Sequence, residues 1–188
     1  MLHFTSIESG VKIVILDIRP MLRGEVNRIG VDFCIAPELL ADAEPNGDAR
    51  VVGEITDRAG YMRLELTATV AYRAECARCL DVVEGEYSVS LERTVATGET
   101  LSEKQLEENV DEYAVAQDGK LDLGDLVREE ILLTFPTRIL CSPDCEGLCP
   151  KCGKPRRLGE CGCPKKEIDP RLAVLKALLD ENEEPKNQ

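Results

Sequence analysis

Apolar and polar residues alternate along the first half of the chain, and this period of two predicts β-strands with one buried face. The longest run extends from Tyr61 to Tyr72, where every second residue from Met62 onward is apolar. A matching run follows from Val83 to Leu91. Because a short polar segment joins the two runs, they predict a long antiparallel hairpin. Shorter runs predict further strands at residues 11–16, 31–35, 51–55 and 115–121.

Helical spacing appears in two places in the second half. An apolar stripe over residues 123–131 follows two candidate N-cap residues, Asp122 and Asp125, and this helix is expected to end before Pro136. A second helix is predicted to begin at Asp169-Pro170, with the aspartate as N-cap and the proline at the first helical position. Its apolar stripe consists of Leu172, Leu175, Leu178 and Leu179.

Cysteines are concentrated between the two predicted helices. Six of the nine cysteines lie between Cys141 and Cys163. Cytosolic thiols at this density favour a metal site over disulfides, and four thiolates at the corners of a tetrahedron are typical of structural zinc. Cys149 and Cys152 form the strongest ligand pair, because Pro150 and Gly153 suit the tight turn that delivers two thiolates to one ion.

The sequence alone leaves the remaining ligands open. Cys161 and Cys163 rank second, with the flexible Gly162 between them, and Cys145 and Cys141 are the alternates. An earlier pair, Cys76 and Cys79, is expected near the tip of the long hairpin. That pair could complete a metal site with the later cysteines or serve as small apolar fillers. Cys34 lies between Phe33 and Ile35 and is expected in the core.

Two other chemistries remain possible for the cysteines. A pair separated by two residues is also the spacing of thiol redox proteins, but those pairs open a helix after a strand, which neither pair here does. An iron–sulfur cluster also takes four thiolates. The turn Cys149–Gly153 followed by short pairs is more typical of a zinc ribbon, so structural zinc is the expected cofactor.

These features predict an α+β fold, with an antiparallel β-sheet body, packed helices and a C-terminal zinc-knuckle segment. Aliphatic side chains must form most of the core, because aromatic residues make up only 4% of the chain. Residues 97–109 are polar and acidic and predict a mobile loop or a short solvated helix. The expected divisions are a β/α body at 1–140, a cysteine-rich metal knuckle at 141–168, and a C-terminal helix with a disordered tail at 169–188.

Charge is unevenly distributed along the chain, whose net charge is −13. Residues 75–130 carry 16 acidic and 5 basic residues, whereas residues 147–166 carry 6 basic residues and one acidic residue. An acidic body repels phosphates, so it suits a basic protein, such as a ribosomal protein, better than a nucleic acid. The candidate RNA contacts are therefore in the knuckle, although these cations could equally be solvated: Lys151, Lys154, Arg156 and Arg157.

Catalytic constellations are missing from the sequence. The only histidine is His3, close to the start of the chain, so no Ser-His or Cys-His pair is expected. No glycine-rich phosphate loop and no apolar run long enough for a membrane span occur. The opening residues have no basic region or cleavage site of a signal peptide, which favours a cytoplasmic protein. The missing catalytic groups favour a non-enzymatic protein without a small-molecule substrate.

Several segments together resemble one family. They are the opening Leu16–Gly24, the sequence Cys76-Ala-Arg-Cys-Leu80, the predicted helix at residues 122–131, and the C-terminal cysteine turns with the final helix. In this combination the chain resembles the bacterial and plastid YceD family. The positions that match the family signature are Cys76, Arg78, Cys79 and Leu80.

The resemblance implies a role in 23S ribosomal RNA accumulation, through its synthesis, processing or stability during large-subunit biogenesis. Together with the uneven charge, this role suggests a large-subunit ribosomal protein or assembly factor as the partner of the acidic body, and precursor rRNA as a partner of the basic knuckle. Some family members lack the C-terminal cysteines, which implies that zinc is a structural addition. A thiol redox protein and a zinc-ribbon interaction adaptor unrelated to ribosomes are the alternative functions.

Overall fold

The structure is a computed structural model, and it describes residues 2–8, 11–37, 40, 42–97 and 112–163. The predicted loop at 98–109, the final helix from Asp169 and the C-terminal tail lie outside the described residues. The described part of the chain forms two sheets, one longer helix, one short helix and a turn-rich C-terminal segment.

The described elements follow one another with mostly short connections. The strands are β1 (Leu2–Glu8), β2 (Val11–Asp17), β3 (Arg28–Ile35), β4 (Ala43–Pro45), β5 (Ala49–Arg58), β6 (Tyr61–Glu75), β7 (Val82–Thr97), β8 (Tyr113–Ala116) and β9 (Lys120–Asp122). The helices are α1 (Arg19–Leu22) and α2 (Leu123–Thr134), and a single 3-10 turn covers Arg156–Leu158.

The larger sheet has the strand order β3-β5-β6-β7-β8, with β4 paired to one end of β6. Every pairing in it is antiparallel except that of β7 with β8, which is parallel. A smaller antiparallel sheet has the order β1-β2-β9. The described chain is therefore a mostly antiparallel sheet protein with few helices, in keeping with the α+β class.

The predicted alternation accounts for the core of the larger sheet. Along β6 the residues at alternate positions are buried from Met62 to Val70, as the period of two requires. The opposite strand β7 places Leu91 in the core, and Tyr87 packs against it. The expectation for Cys34 was wrong: it is exposed. Because Phe33 and Ile35 point into the core, the residue between them must face outward.

Helix α2 packs against the sheets through the predicted stripe. The Asp122 side chain caps it by accepting a hydrogen bond from the Asp125 N–H at 3.0 Å. Leu123, Val127 and Ile131 are buried. The helix ends at Thr134, before Pro136 as expected.

Phe135 anchors the chain as it leaves α2. Its ring makes edge-to-face contacts with Tyr72 of β6 at 5.4 Å and Tyr87 of β7 at 5.1 Å between centroids. The segment that follows α2 is therefore fixed close to the end of the β6–β7 hairpin, where the first cysteine pair lies.

The chain divides into two compact units, Met1–Cys145 and Glu146–Gln188. The division falls a few residues after the boundary expected at residue 140, so that Cys141 and Cys145 belong to the first unit. No described helix is both long and apolar enough to cross a membrane.

Candidate metal centres

The tip of the β6–β7 hairpin is a tight turn built around Cys76 and Cys79. The Leu80 N–H donates to the Cys76 carbonyl at 2.9 Å, and the Cys76 N–H donates to the Asp81 carbonyl at 2.7 Å. Leu80 has a φ of 62°, in the left-handed region that non-glycine residues rarely adopt. Both cysteine side chains are buried.

The segment after α2 brings two further cysteines to this tip. The Ala77 N–H donates to the Ile139 carbonyl at 2.9 Å, and the Arg78 guanidinium donates to the Cys145 carbonyl at 2.8 Å. These bonds hold Cys141 and Cys145 beside the hairpin. We call the four residues Cys76, Cys79, Cys141 and Cys145 the tip cluster.

The sulfur atoms of the tip cluster lie at metal-site distances. The Sγ atoms of Cys76 and Cys145 are 3.8 Å apart, those of Cys79 and Cys141 are 3.5 Å apart, and all four lie within 4.8 Å of one another. A tetrahedron with zinc–sulfur bonds of about 2.3 Å has edges of about 3.8 Å. The tip cluster thus has the size of a tetrahedral four-thiolate site.

Within the tip cluster the pKa is lowered at Cys76 and raised at Cys79 and Cys141. The backbone N–H of Cys141, helped by those of Arg78 and Cys79, lowers the pKa of Cys76 to about 6. The Asp81 N–H acts in the same direction on Cys79, but burial and hydrogen bonds to Asp81 and the neighbouring thiols outweigh it and raise its pKa. The hydrogen bond to Cys145 is the main cause of a raised pKa at Cys141. Four negative charges at this spacing need a cation among them.

The second group of four consists of Cys149, Cys152, Cys161 and Cys163, here called the knuckle cluster. Their ligand atoms also lie within 4.8 Å of one another. The Gly153 N–H donates to the Cys149 carbonyl at 2.8 Å, and the Cys149 N–H donates to the Lys154 carbonyl at 2.9 Å. Gly153 has a φ of 72°, as the expected turn requires.

The knuckle cluster likewise contains one thiol whose pKa is lowered, Cys149, and one whose pKa is raised, Cys163. The N–H groups of Cys152 and Lys151 lower the pKa of Cys149 to about 6. The Cys161 and Cys152 side chains raise the pKa of Cys163 to about 12. Amides directed at the sulfur of a ligand are the expected second layer of a thiolate metal site.

The structure therefore sorts the eight cysteines into two groups that could each hold a metal ion. The four residues ranked first in the sequence lie together in the knuckle cluster. The two alternates, Cys141 and Cys145, join Cys76 and Cys79 instead. All nine cysteines are free thiols. A closed set of four thiolates leaves no position for a substrate, which is the arrangement of a structural site rather than a catalytic one.

The sequence left the pairing of the tip cluster as one of two alternatives, because its halves are far apart along the chain. The paired residues Cys79 and Cys141 are separated by 62 positions. The only local signal was the spacing of Cys76 and Cys79, which resembles that of Cys149 and Cys152. The two halves meet because α2 and Phe135 pack against the sheet and place the following segment beside the hairpin tip.

The four candidate RNA-contacting cations are exposed in the second unit. Lys151 lies inside the knuckle turn, Lys154 follows it, and Arg156 and Arg157 belong to the 3-10 turn. They share this unit with the acidic residues Glu146 and Glu160 in its described part. Lys165 and Lys166, which contribute to the positive charge in the sequence, lie outside the described residues.

A comparison with protein families gives one match over the segment that contains both clusters. Residues 64–179 match the family described as large ribosomal RNA subunit accumulation protein YceD. The match covers more than half of the chain and includes the long hairpin, α2 and eight of the nine cysteines. The chain belongs to the YceD family. Its opening segment Leu16–Gly24 lies before the matched residues.

Relatives of this YceD-family chain occur in several bacteria. An uncharacterized protein of Mycobacterium tuberculosis is 38% identical over 116 residues, which cover 61% of this chain and 55% of the relative. The uncharacterized protein YlbN of Bacillus subtilis is 27% identical over 148 residues, covering 78% of this chain and 83% of YlbN. The chain thus spans about half the length of the mycobacterial relatives it matches. No solved structure matches the chain.

Proposed function

We propose that this YceD-family chain is a non-enzymatic factor in 23S ribosomal RNA accumulation during large-subunit biogenesis. The observation that carries the proposal is the family match over residues 64–179, whose description names accumulation of the large ribosomal RNA. The factor would act on synthesis, processing or stability of the RNA. Binding accounts for such a role without a chemical step, in keeping with cysteine groups that have the closed form of structural sites.

The proposal assigns structural zinc to the knuckle cluster. Cys149, Cys152, Cys161 and Cys163 would hold the ion, which supplies a cross-link between four thiolates and the charge that balances them. Support comes from the spacing of the sulfurs and from the amides directed at Cys149. Such a cross-link is needed because Leu158 is exposed and the described part of this unit buries almost no apolar side chain.

Two surfaces of opposite charge define the proposed partners. The outer face of β7 carries Glu84, Glu86 and Glu92, all exposed, and suits a basic ribosomal protein or assembly factor. The knuckle carries Lys151, Lys154, Arg156 and Arg157 and suits the phosphates of precursor rRNA. The cytoplasm, where large subunits are assembled in bacteria, is the proposed location.

The proposal is tested by deleting the gene for the chain and measuring the ratio of large- to small-subunit rRNA. Deletion should lower this ratio, and the wild-type chain should restore it. A variant with Lys151→Glu and Arg156→Glu should restore it poorly, whereas Arg58→Glu with Lys120→Glu, which changes two exposed cations of the body by the same charge, should restore it fully. An unchanged ratio after deletion would rule out the proposed function.

The deletion strain and the isolated chain also distinguish the proposed function from that of a thiol redox protein. A thiol redox protein would show a reversible dithiol couple without bound metal, and its loss would alter the oxidation state of client thiols. A structural site would show about one zinc per knuckle cluster, released by chelator together with the fold of that segment. A dithiol couple in metal-free native protein, with normal rRNA, would favour the redox function.

A further inference from the structure

The two cysteine turns share one backbone conformation. In each, the N–H of the fifth residue donates to the carbonyl of the first cysteine, and the N–H of that cysteine donates to the carbonyl of the sixth residue. The fifth residue is left-handed in both, with φ of 62° at Leu80 and 72° at Gly153. The first cysteine of each turn is buried.

This correspondence identifies the tip as a knuckle in its own right. The turn at Cys149 was recognised from its glycine, and the turn at Cys76 lacks that signal because leucine occupies the equivalent position. The partner sulfurs differ as well: the tip takes Cys141 and Cys145 from the segment after α2, with separations of 3.5 and 3.8 Å. Both turns thus present two thiolates in the same way to two further thiolates.

We propose that the tip cluster is a second metal site, independent of the knuckle cluster, for a thiophilic divalent ion such as zinc. This site goes beyond the function proposed above, because all four of its ligands lie in the first unit and metal binding there does not depend on RNA. Its role is to fasten the segment after α2 to the hairpin tip. The described bonds that otherwise hold this segment there are those from Ala77 and Arg78, while Ser142, Pro143 and Asp144 are exposed.

Alkylation of the native, zinc-loaded chain tests this site without any substitution. Cys141 and Cys34 are both exposed thiols, but only Cys141 lies in a cluster. With mass-spectrometric readout, Cys34 should react with iodoacetamide at the same rate with and without chelator. Cys141 should be protected and should become reactive, by about tenfold or more, once the ion is removed. Equal reactivity of Cys141 in both conditions would overturn the proposal.

Metal stoichiometry of paired variants gives the independent check. Native mass spectrometry with zinc should find two ions in the wild type and in Cys34→Ala. Cys76→Ala with Cys79→Ala should retain one ion, and so should Cys149→Ala with Cys152→Ala. Two ions in the variant lacking Cys76 and Cys79, or a single ion in the wild type, would refute a separate tip site. If the first variant fails to fold, the alkylation result decides.

The hairpin tip also exposes two apolar side chains, those of Leu80 and Val82. Leu80 occupies a left-handed position that costs conformational energy for any side chain, yet 59% of its surface is exposed. Val82 beside it is 53% exposed. Contacts of the Leu80 side chain within the described chain therefore offset little of this conformational energy. The knuckle turn itself requires this conformation, so the feature that indicates a binding role is the exposed apolar side chain that the turn presents.

Leu80 borders an open groove of about 690 Å³. Its walls come from β4, the hairpin tip and the segment after α2. Leu80, Val82 and Ile139 are among the apolar residues that line the groove. Its acidic lining residues are Asp42, Glu44 and Glu75. Arg73 also lines the groove, but it lies in register between Glu44 and Glu84, so the groove remains acidic.

We infer that this groove binds an extended, basic polypeptide that places an apolar side chain against Leu80. Charge complementarity selects the occupant: carboxylates attract lysine and arginine side chains and repel phosphates, so RNA does not suit the groove. A basic, extended tail of a ribosomal protein would fit this description. The inference rests in this respect on the proposed function and narrows its protein partner.

The test uses a photo-cross-linking amino acid at position 82, with rRNA-free large-subunit proteins as the probe. The same amino acid at exposed Tyr61, at the other end of β6, is the matched control. Cross-links from position 82 to a basic segment should exceed those from position 61. The additional change Leu80→Gly should reduce them about tenfold, as expected for an interface anchor, without lowering the melting temperature because glycine fits this φ.

Each outcome bears on the groove alone. Equal cross-linking from the two positions, or cross-linking unaffected by Leu80→Gly, would refute the docking site. Preferential cross-linking to added precursor rRNA would refute the choice of a basic polypeptide. The rRNA ratio in the deletion strain is a separate result, so failure of the groove and failure of the proposed function can be told apart.

Discussion

Gly85 shows how a single residue shapes the long hairpin. It faces Tyr72 across the β6–β7 pair, and a methyl group at position 85 would lie 2.8 Å from the Tyr72 hydroxyl and 2.9 Å from the ring carbon that bears it. The structure shows that the lack of a side chain at Gly85 lets Tyr72 lie across it, where the same ring meets Phe135.

We therefore expect Gly85→Ala to destabilise the chain. The new methyl group would displace the Tyr72 ring from its contacts, and overpacking of this kind costs about 1–3 kcal/mol. Urea denaturation monitored by circular dichroism would measure the change in the free energy of unfolding. Ser90→Ala, on the exposed face of the same strand, is the control and should change it by less than about 0.5 kcal/mol. Equal stability of the two variants would contradict this role of Gly85.

Helix α2 connects the cores of the two sheets to the tip cluster. Its start was predictable from Asp122 and its end from Pro136, because capping and proline effects are local. Its packing partners were not predictable, since they depend on contacts between residues far apart in the chain. The Arg93 guanidinium of β7, for example, lies 2.8 Å from the Glu130 carboxylate of α2.

The cap of α2 gives a prediction at this scale. Asp122→Ala removes the acceptor for the Asp125 N–H and should lower the free energy of unfolding by about 1 kcal/mol. Asp122→Asn keeps an acceptor oxygen and should retain most of the stability. Thermal unfolding of the three proteins would measure both effects. A loss for Asn as large as that for Ala would show that the cap is not the cause.

The end of α2 gives a larger effect. Phe135→Ala removes a buried ring that contacts Tyr72 and Tyr87, and such truncations cost about 3–5 kcal/mol. Leu133→Ala, two residues earlier, is the control because Leu133 is exposed, and it should have little effect. Denaturant titrations of both variants test this. A small effect of Phe135→Ala would mean that the ring does not fasten the segment after α2.

At the scale of the whole molecule, the sequence predicted mainly the local features and left the long-range contacts open. Strands β3, β5, β6 and β7 and the grouping of the knuckle cysteines follow from short periods and spacings, whereas the short strand β4 was not predicted. The tip cluster and the parallel pairing of β7 with β8 depend on how distant segments meet. The exposed position of Cys34 follows instead from the local alternation of β3, which the expectation for this residue overlooked. The two units of the chain also differ in what stabilises them.

The first unit has an apolar core to which both sheets contribute, including fully buried Leu16, Ile55 and Leu64. The described part of the second unit buries only Gly147 and Cys149.

If metal holds the knuckle, its removal should unfold the second unit and leave the sheets in place. Trypsin should then cut first after the cations of the knuckle, Lys151, Lys154, Arg156 and Arg157, while the far-ultraviolet strand signal persists. Zinc should restore resistance to trypsin. Loss of the sheet signal at the same chelator concentration would show instead that both units unfold together and that the core depends on metal as strongly as the knuckle does.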